Sequence, residues 1–151
     1  MQNVFDAKDA QEYINRINNL TPETQRKWGK MSVDQVLAHL NVAYDLTFTP
    51  EKFPKPSFIA KFLLSRFVKP KITNEIPYKQ SLPTSPAFII ADERNFEEEK
   101  AKLIGNIQRV QQLGKEAFEG KENINFGKMT AQGWNNMFAK HLNHHLEQFG
   151  V

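Results

Sequence analysis

Seven of the chain's eight prolines fall between Pro50 and Pro86. Proline lacks a backbone N–H and its ring collides with the preceding turn, so it ends or kinks a helix wherever it is interior. The chain is thereby divided into two flanks free to form long helices and a central stretch that cannot be an ordinary bundle element. One short amphipathic piece, Phe58 to Val68, is expected there; the rest reads as an irregular crossover. A short loop forces neighbouring helices antiparallel, whereas a connection this long lets the chain return and run parallel.

Helical periodicity dominates both flanks. Ala10, Tyr13, Ile14 and Ile17 recur at three- and four-residue spacing and predict a helix over 7–19. Thr21-Pro22-Glu23 reads as an N-cap, a first-turn proline and an early acid, predicting a further short turn of helix. A second long helix, over 33–48, opens with Ser32 and Gln35 as a capping box and Met31 and Val36 as a staple. Its inner stripe is Val33, Val36, Leu37, Leu40 and Tyr44, with His39 at the edge. A third, over 92–113, carries Asp92 and Glu97-Glu98-Glu99 at its positive end, and Gly114 stops it. The last, over 131–149, starts at Thr130 as N-cap with Met129 and Trp134 placed as a staple. No segment shows sustained strand alternation. The expected fold is therefore an all-α four-helix bundle, one domain over 1–151, with a long proline-rich crossover between its second and third helices.

Three of the four histidines crowd into His141-Leu142-Asn143-His144-His145. Residues four apart share one helix face, so His141 and His145 can grip one ion between them, with His39 closing the site from a facing helix. Wound at 100° per residue, Trp134, Met137, Phe138, His141, His145 and Gln148 fall within about 50° of one another. The two histidines thus continue the apolar face, while His144 lies about 60° to one side. Burying two imidazoles in an apolar seam costs free energy unless their nitrogens are satisfied, and a shared metal satisfies both. The bland alternative is a set of hydrogen-bonded core histidines. Three neutral imidazoles with an open position describe a reactive centre rather than a sealed structural one. Protease-type HExxH chemistry is excluded, because Leu142 stands where the general base is needed.

Composition narrows the classes further. At 40% hydrophobic and 25% charged, with twelve phenylalanines, the chain can fill one core. A pI near 9.1 reflects a net charge of only +3, which is no nucleic-acid footprint. With no cysteine there are no disulfides, thiolate ligands or cysteine nucleophile. The first residues lack a basic start and an apolar stretch, and no apolar run approaches the ~20 residues of a membrane span. A soluble, cytoplasmic protein is expected.

The segments Trp28-Gly29-Lys30-Met31-Ser32, Gln35-Val36-Leu37-Ala38-His39-Leu40, Phe126-Gly127-Lys128-Met129-Thr130, Trp134 and His141-Leu142-Asn143-His144-His145-Leu146-Glu147-Gln148-Phe149-Gly150 carry a family likeness. From about Trp28 to the C-terminus the chain resembles the DinB/YfiT-like superfamily of metalloenzymes, in a small branch with an HxxHHxxQFG ending. The resemblance implies a four-helix bundle with one long crossover, often a homodimer, holding a divalent metal on His39, His141 and His145. Superfamily members include S-transferases for low-molecular-weight thiols and a thiol-dependent isomerase. Asn123-Ile124-Asn125 stands where the branch has a His-Pro, a departure from its pattern.

Three functions remain open from sequence. The first is a metal-dependent enzyme, transferase or hydrolase, in which a zinc or nickel ion activates a thiol or water against a small-molecule substrate. The others are a non-catalytic metal- or small-ligand-binding bundle, and an interaction module with core histidines. Trp134, Met137 and Phe138 are the expected walls; Asp34, Asn41 and Glu147 lie near the histidines in sequence, but nothing there selects a general acid or base among them. The stretch Lys52–Lys71 interleaves six cations with Phe53, Phe58, Phe62 and Phe67. It reads as a lid packing its phenylalanines on the bundle, with a membrane-surface helix or an acidic-substrate gate as alternatives.

Overall fold

A computed structural model describes residues 1–151. It is mostly helical. The long helices are α1 (Ala7–Asn18), α2 (Val33–Phe48), α5 (Phe96–Leu113) and α6 (Ala131–Gln148). Between α2 and α5 lie α3 (Phe58–Leu63), a π-helical turn (Leu64–Val68) and α4 (Lys69–Thr73). A small antiparallel pair, β1 (Glu122–Asn123) and β2 (Gly127–Lys128), precedes α6. No helix is long and apolar enough to cross a membrane.

The stripes expected from periodicity meet in one core. Tyr13 and Ile17 of α1, Leu37, Leu40 and Tyr44 of α2, Leu103 and Ile107 of α5, and Trp134, Phe138, Leu142 and Leu146 of α6 are all buried together. Each large side chain so buried contributes roughly 1.5–3 kcal/mol. Into this apolar contact α2 and α5 insert one polar ladder. Asn41 donates from Nδ2 to the Glu99 carbonyl at 3.0 Å and to its carboxylate at 2.7 Å, and Asn106 donates to Asn41 Oδ1 at 3.0 Å.

The helix starts follow their capping chemistry. Gln35 Oε1 accepts the Ser32 N–H at 3.0 Å, closing one arm of the expected box, while the Ser32 hydroxyl donates to Asp34. Thr130 Oγ1 accepts the Gly133 N–H at the head of α6. The third long helix begins four residues later than its acidic pattern predicts. Asn95, not Asp92, is the cap, because its side chain accepts the Glu98 N–H, and Asp92 instead accepts from Arg94. Thr21-Pro22-Glu23 forms a single turn rather than helix, closed by Thr24 N–H to the Thr21 carbonyl and Thr21 N–H to Thr24 Oγ1.

The pair β1–β2 is the element that sequence alternation did not show, since two residues per strand leave no period to read. Asn123 Oδ1 accepts the N–H groups of Asn125 and Phe126, holding the turn, and Gly127 takes φ +69°. The Phe126–Thr130 motif is thus folding chemistry: two core side chains, a left-handed glycine and a cap.

The crossover departs most from expectation. Helical structure continues past Val68 through Pro70, which stands in the first turn of α4 directly after the π-helical turn. Its inner side is fastened to the β pair: Lys61 to the Glu122 carboxylate at 2.7 Å, Ser65 Oγ to the Phe126 carbonyl at 2.8 Å, and Lys69 to the Lys128 carbonyl. Phe58, Phe62 and Phe67 do not pack on the helical core. Phe58 is 86% exposed, Phe62 60% and Phe67 59%. The inner face mixes Leu64 and Ile72, packed against the core, with polar groups that meet the carbonyls and carboxylate of the β pair.

Candidate metal centre

Helix α6 supplies His141 and His145 one turn apart, and α2 supplies His39 across the core interface. One nitrogen from each of the three lies within 4.8 Å of the other two. His39 and His145 are buried, 4% and 7% exposed, and His141 is half-buried. The rings stand edge to face with centroids 4.6–5.0 Å apart.

Two of the three tautomers follow from the hydrogen bonds. His39 Nδ1 lies 2.8 Å from the Phe88 carbonyl, which can only accept, so Nδ1 carries the proton and Nε2 is left with a lone pair. His145 Nδ1 lies 2.8 Å from Gln148 Oε1. The orientation of that amide is fixed at its other end, where Gln148 Nε2 donates to the Trp28 carbonyl at 2.7 Å. His145 therefore also protonates Nδ1 and frees Nε2. Backbone or amide oxygens behind ligating imidazoles orient the ring and raise its basicity in metal sites.

His141 Nε2 lies 2.8 Å from His39 Nε2. With His39 Nε2 a lone pair, His141 donates a proton across that contact in the metal-free protein. A tetrahedral ion with ligands at ~2.1 Å sets its nitrogens about 3.4 Å apart. The nitrogens here span 2.8 Å at the tightest contact to 4.8 Å at most. A divalent cation replacing the shared proton requires only small ring movements, and the all-imidazole donor set suits zinc or nickel.

Burial holds all three imidazoles below the usual histidine range. His39 is lowered by desolvation against the opposing pull of its Phe88 bond. His141 is held well below that range by desolvation, reinforced by the neighbouring imidazoles. His145 is brought down to about 3 by desolvation and by His39, with the Gln148 bond resisting. At neutral pH the cluster is uncharged, the state in which imidazole ligates.

His144 stands outside the ligand group, as its position on the helix predicts. It is half-buried, with its ring 6.1 Å from Trp28 and 5.9 Å from Tyr78. The expected walls differ. Trp134 and Phe138 turn into the core, against Phe118 and Tyr44. Phe88 is the aromatic ring beside His39 and His141, while Trp28 and Tyr78 lie against His144. Phe88 belongs to the crossover, which therefore reaches the three-histidine cluster as a lid would, and Tyr78 brings it to the neighbouring His144. Two side chains of α6 fasten it: Lys140 Nζ donates to the Lys71 carbonyl at 2.7 Å and to Asn74 Oδ1 at 2.8 Å, and Asn136 donates to the Thr73 carbonyl at 2.7 Å.

The three polar residues near the histidines in sequence lie elsewhere. Asp34 accepts the Arg94 N–H, Asn41 belongs to the α2–α5 ladder, and Glu147 is exposed. Sequence reasoning placed Gln148 on the histidine face without giving it a task; the missed signal was its i+3 spacing from His145. Phe88 acts through its carbonyl, which no side-chain pattern reports.

The motif halves at Trp28–Ser32 and His141–Gly150 meet here, joined by Gln148 and by Lys27 N–H to the Gln148 carbonyl at 2.7 Å. Among curated proteins and among solved structures nothing matches the chain. A family model matches residues 2–150, and the chain belongs to that family, described as Protein of unknown function (DUF1569).

Proposed function

We propose that this protein is a metal-dependent enzyme, S-transferase-like or hydrolase-like, built on a four-helix bundle of the DinB/YfiT-like kind. The observation that carries the reading is the convergence of His39, His141 and His145, with Nδ1–H groups of His39 and His145 tied back to oxygen acceptors. Of the three convergent imidazoles only His39 and His141 are joined by a hydrogen bond, and the His145 Nε2 lone pair is left beside them with no protein donor to meet it. Bound by these three nitrogens, a divalent ion supplies the Lewis acidity that makes a thiol or a water nucleophilic near neutral pH. The chain's own groups do the rest: Phe88 and Gln148 orient two ligands, and the Phe88 ring beside His39 and His141 offers apolar surface to a small substrate, a low-molecular-weight thiol being the favoured partner. The absence of any cysteine leaves thiol chemistry to a substrate rather than to the protein.

Elemental analysis of zinc- or nickel-loaded protein should find about one ion per chain, one being what a single three-histidine site holds. His141→Ala and His145→Ala should lose it, and His144→Ala should keep most of it. Loaded protein is then screened with thiols plus electrophilic acceptors, and with simple esters and amides. Turnover that persists in His141→Ala sinks the metal-centred reading. A loaded protein without turnover favours the non-catalytic ligand-binding alternative.

A further inference from the structure

The crossover presents an apolar face that nothing in the chain covers. Phe58, Ile59, Phe62, Leu63 and Phe67 are 48–86% exposed, and Val68 36%. Isolated exposed apolar residues are ordinary, but a contiguous set on one element marks an interaction surface. The π-helical turn matters here. In a regular helix each four-residue step drifts about 40°, which would carry Phe67 away from Ile59. The π turn, at roughly 4.4 residues per turn, brings Phe67 back into line with Ile59, Phe62 and Leu63.

The charge around this face identifies the occupant. Between Pro50 and Thr73 there are six basic residues, Lys52, Lys55, Lys61, Arg66, Lys69 and Lys71, and one acid, Glu51. Lys61 and Lys69 are engaged on the β pair, while Lys52, Lys55, Arg66 and Lys71 are exposed and form no ion pair. Two copies meeting through this face would oppose like charges. A surface that is apolar inside and anionic outside satisfies both features, and a leaflet containing anionic lipid is such a surface.

We propose that the segment Lys52–Thr73 docks the protein on anionic membranes, its phenylalanines entering the headgroup boundary and its free cations meeting lipid phosphates and carboxylates. The inner side is already fixed to the β pair and to α6, so docking needs no refolding. The arrangement lies on the surface without spanning, in keeping with the lack of any spanning helix.

The test is co-sedimentation of the full chain with vesicles of phosphatidylcholine alone and of a two-to-one mixture with phosphatidylserine, at low and high salt. Binding is expected to the mixture only, weakened by salt, with each free cation worth roughly fivefold in affinity. Phe62→Glu with Phe67→Glu should lower binding by at least tenfold or so, and Lys55→Glu with Arg66→Glu should remove the preference for phosphatidylserine. Both pairs alter exposed side chains, and circular dichroism checks that they fold. No binding to the mixture, or equal binding to both vesicles, overturns the proposal. So does a dimer in size-exclusion chromatography that the double phenylalanine variant dissociates, which would assign the face to a second copy.

Discussion

Replacing Gly29 by alanine should disable the metal centre from outside it. Gly29 sits at φ +83°, and a Cβ there would stand 2.3 Å from Gln148 Nε2. Carbon and nitrogen need more than a further ångström, so the amide must retreat. It cannot do so without cost. Its Nε2 is bonded to the Trp28 carbonyl and its Oε1 to His145 Nδ1. Losing both bonds costs about 1 kcal/mol each, and more where a group is left buried without a partner. The left-handed backbone adds about 1–2 kcal/mol for any residue with a Cβ. The total is about 3–5 kcal/mol, and His145 loses the acceptor that fixes its ring, which weakens metal affinity some 10- to 100-fold. Urea denaturation measures the first and competitive metal titration the second. Gly120→Ala is the control: φ is +71°, but nothing lies within 4 Å of its Cβ, so only the backbone contribution of about 1–2 kcal/mol should appear. In a Gln148→Ala background Gly29→Ala should likewise cost only the backbone contribution. If Gly29→Ala and Gly120→Ala destabilise equally and metal affinity is unchanged, the coupling through Gln148 is wrong.

Chelated protein should lose stability as pH falls below the imidazole range. The unfolded chain takes up protons near pH 6.5, whereas burial keeps the folded His39, His141 and His145 neutral, His145 down to about pH 3. The stabilisation is therefore full above about pH 6.5 and declines between there and about pH 3. A urea midpoint that stays flat from pH 7 to pH 4.5 would contradict it. Lys140→Met removes the ammonium that holds the Lys71 carbonyl and Asn74. A cost of about 2 kcal/mol is expected, together with faster limited proteolysis within residues 74–90; an unchanged digest would show that Lys140 is no clamp.

What could be read from the sequence was whatever acts locally. The α2 and α6 starts were legible because Ser32, Gln35 and Thr130 bond within three residues of themselves. His141 and His145 were legible because helical spacing alone puts them together. His39 was legible as an edge residue able to close the site from a facing helix, a pairing that the family likeness reinforced. The start of α5 was placed four residues early because an acid such as Asp92 suits the positive end of a helix without marking its first residue, whereas Asn95 caps the helix and the Arg94 N–H is held outside it by Asp34 of α2. The crossover was misread because sequence shows that Phe58, Phe62 and Phe67 are apolar, not what surface stands opposite them. The partner was a β pair too short to have a period.

The amide ladder between α2 and α5 has a meaning beyond stability. Leucines slide past leucines with little preference, and a slip of one turn moves a helix by about 5.4 Å. Such a slip exceeds the 4.8 Å that encloses the histidine nitrogens. Asn41 stands two residues from His39 and finds its partners, Glu99 and Asn106, at one setting only. An apolar residue at Asn41 could leave the protein equally stable, since buried polar groups often yield to well-packed hydrophobes without loss. The protein would then be a sound fold with its third ligand on the wrong rung. Asn41 is best understood as a vernier mark: it contributes nothing to the chemistry, yet it fixes where along its axis α2 comes to rest.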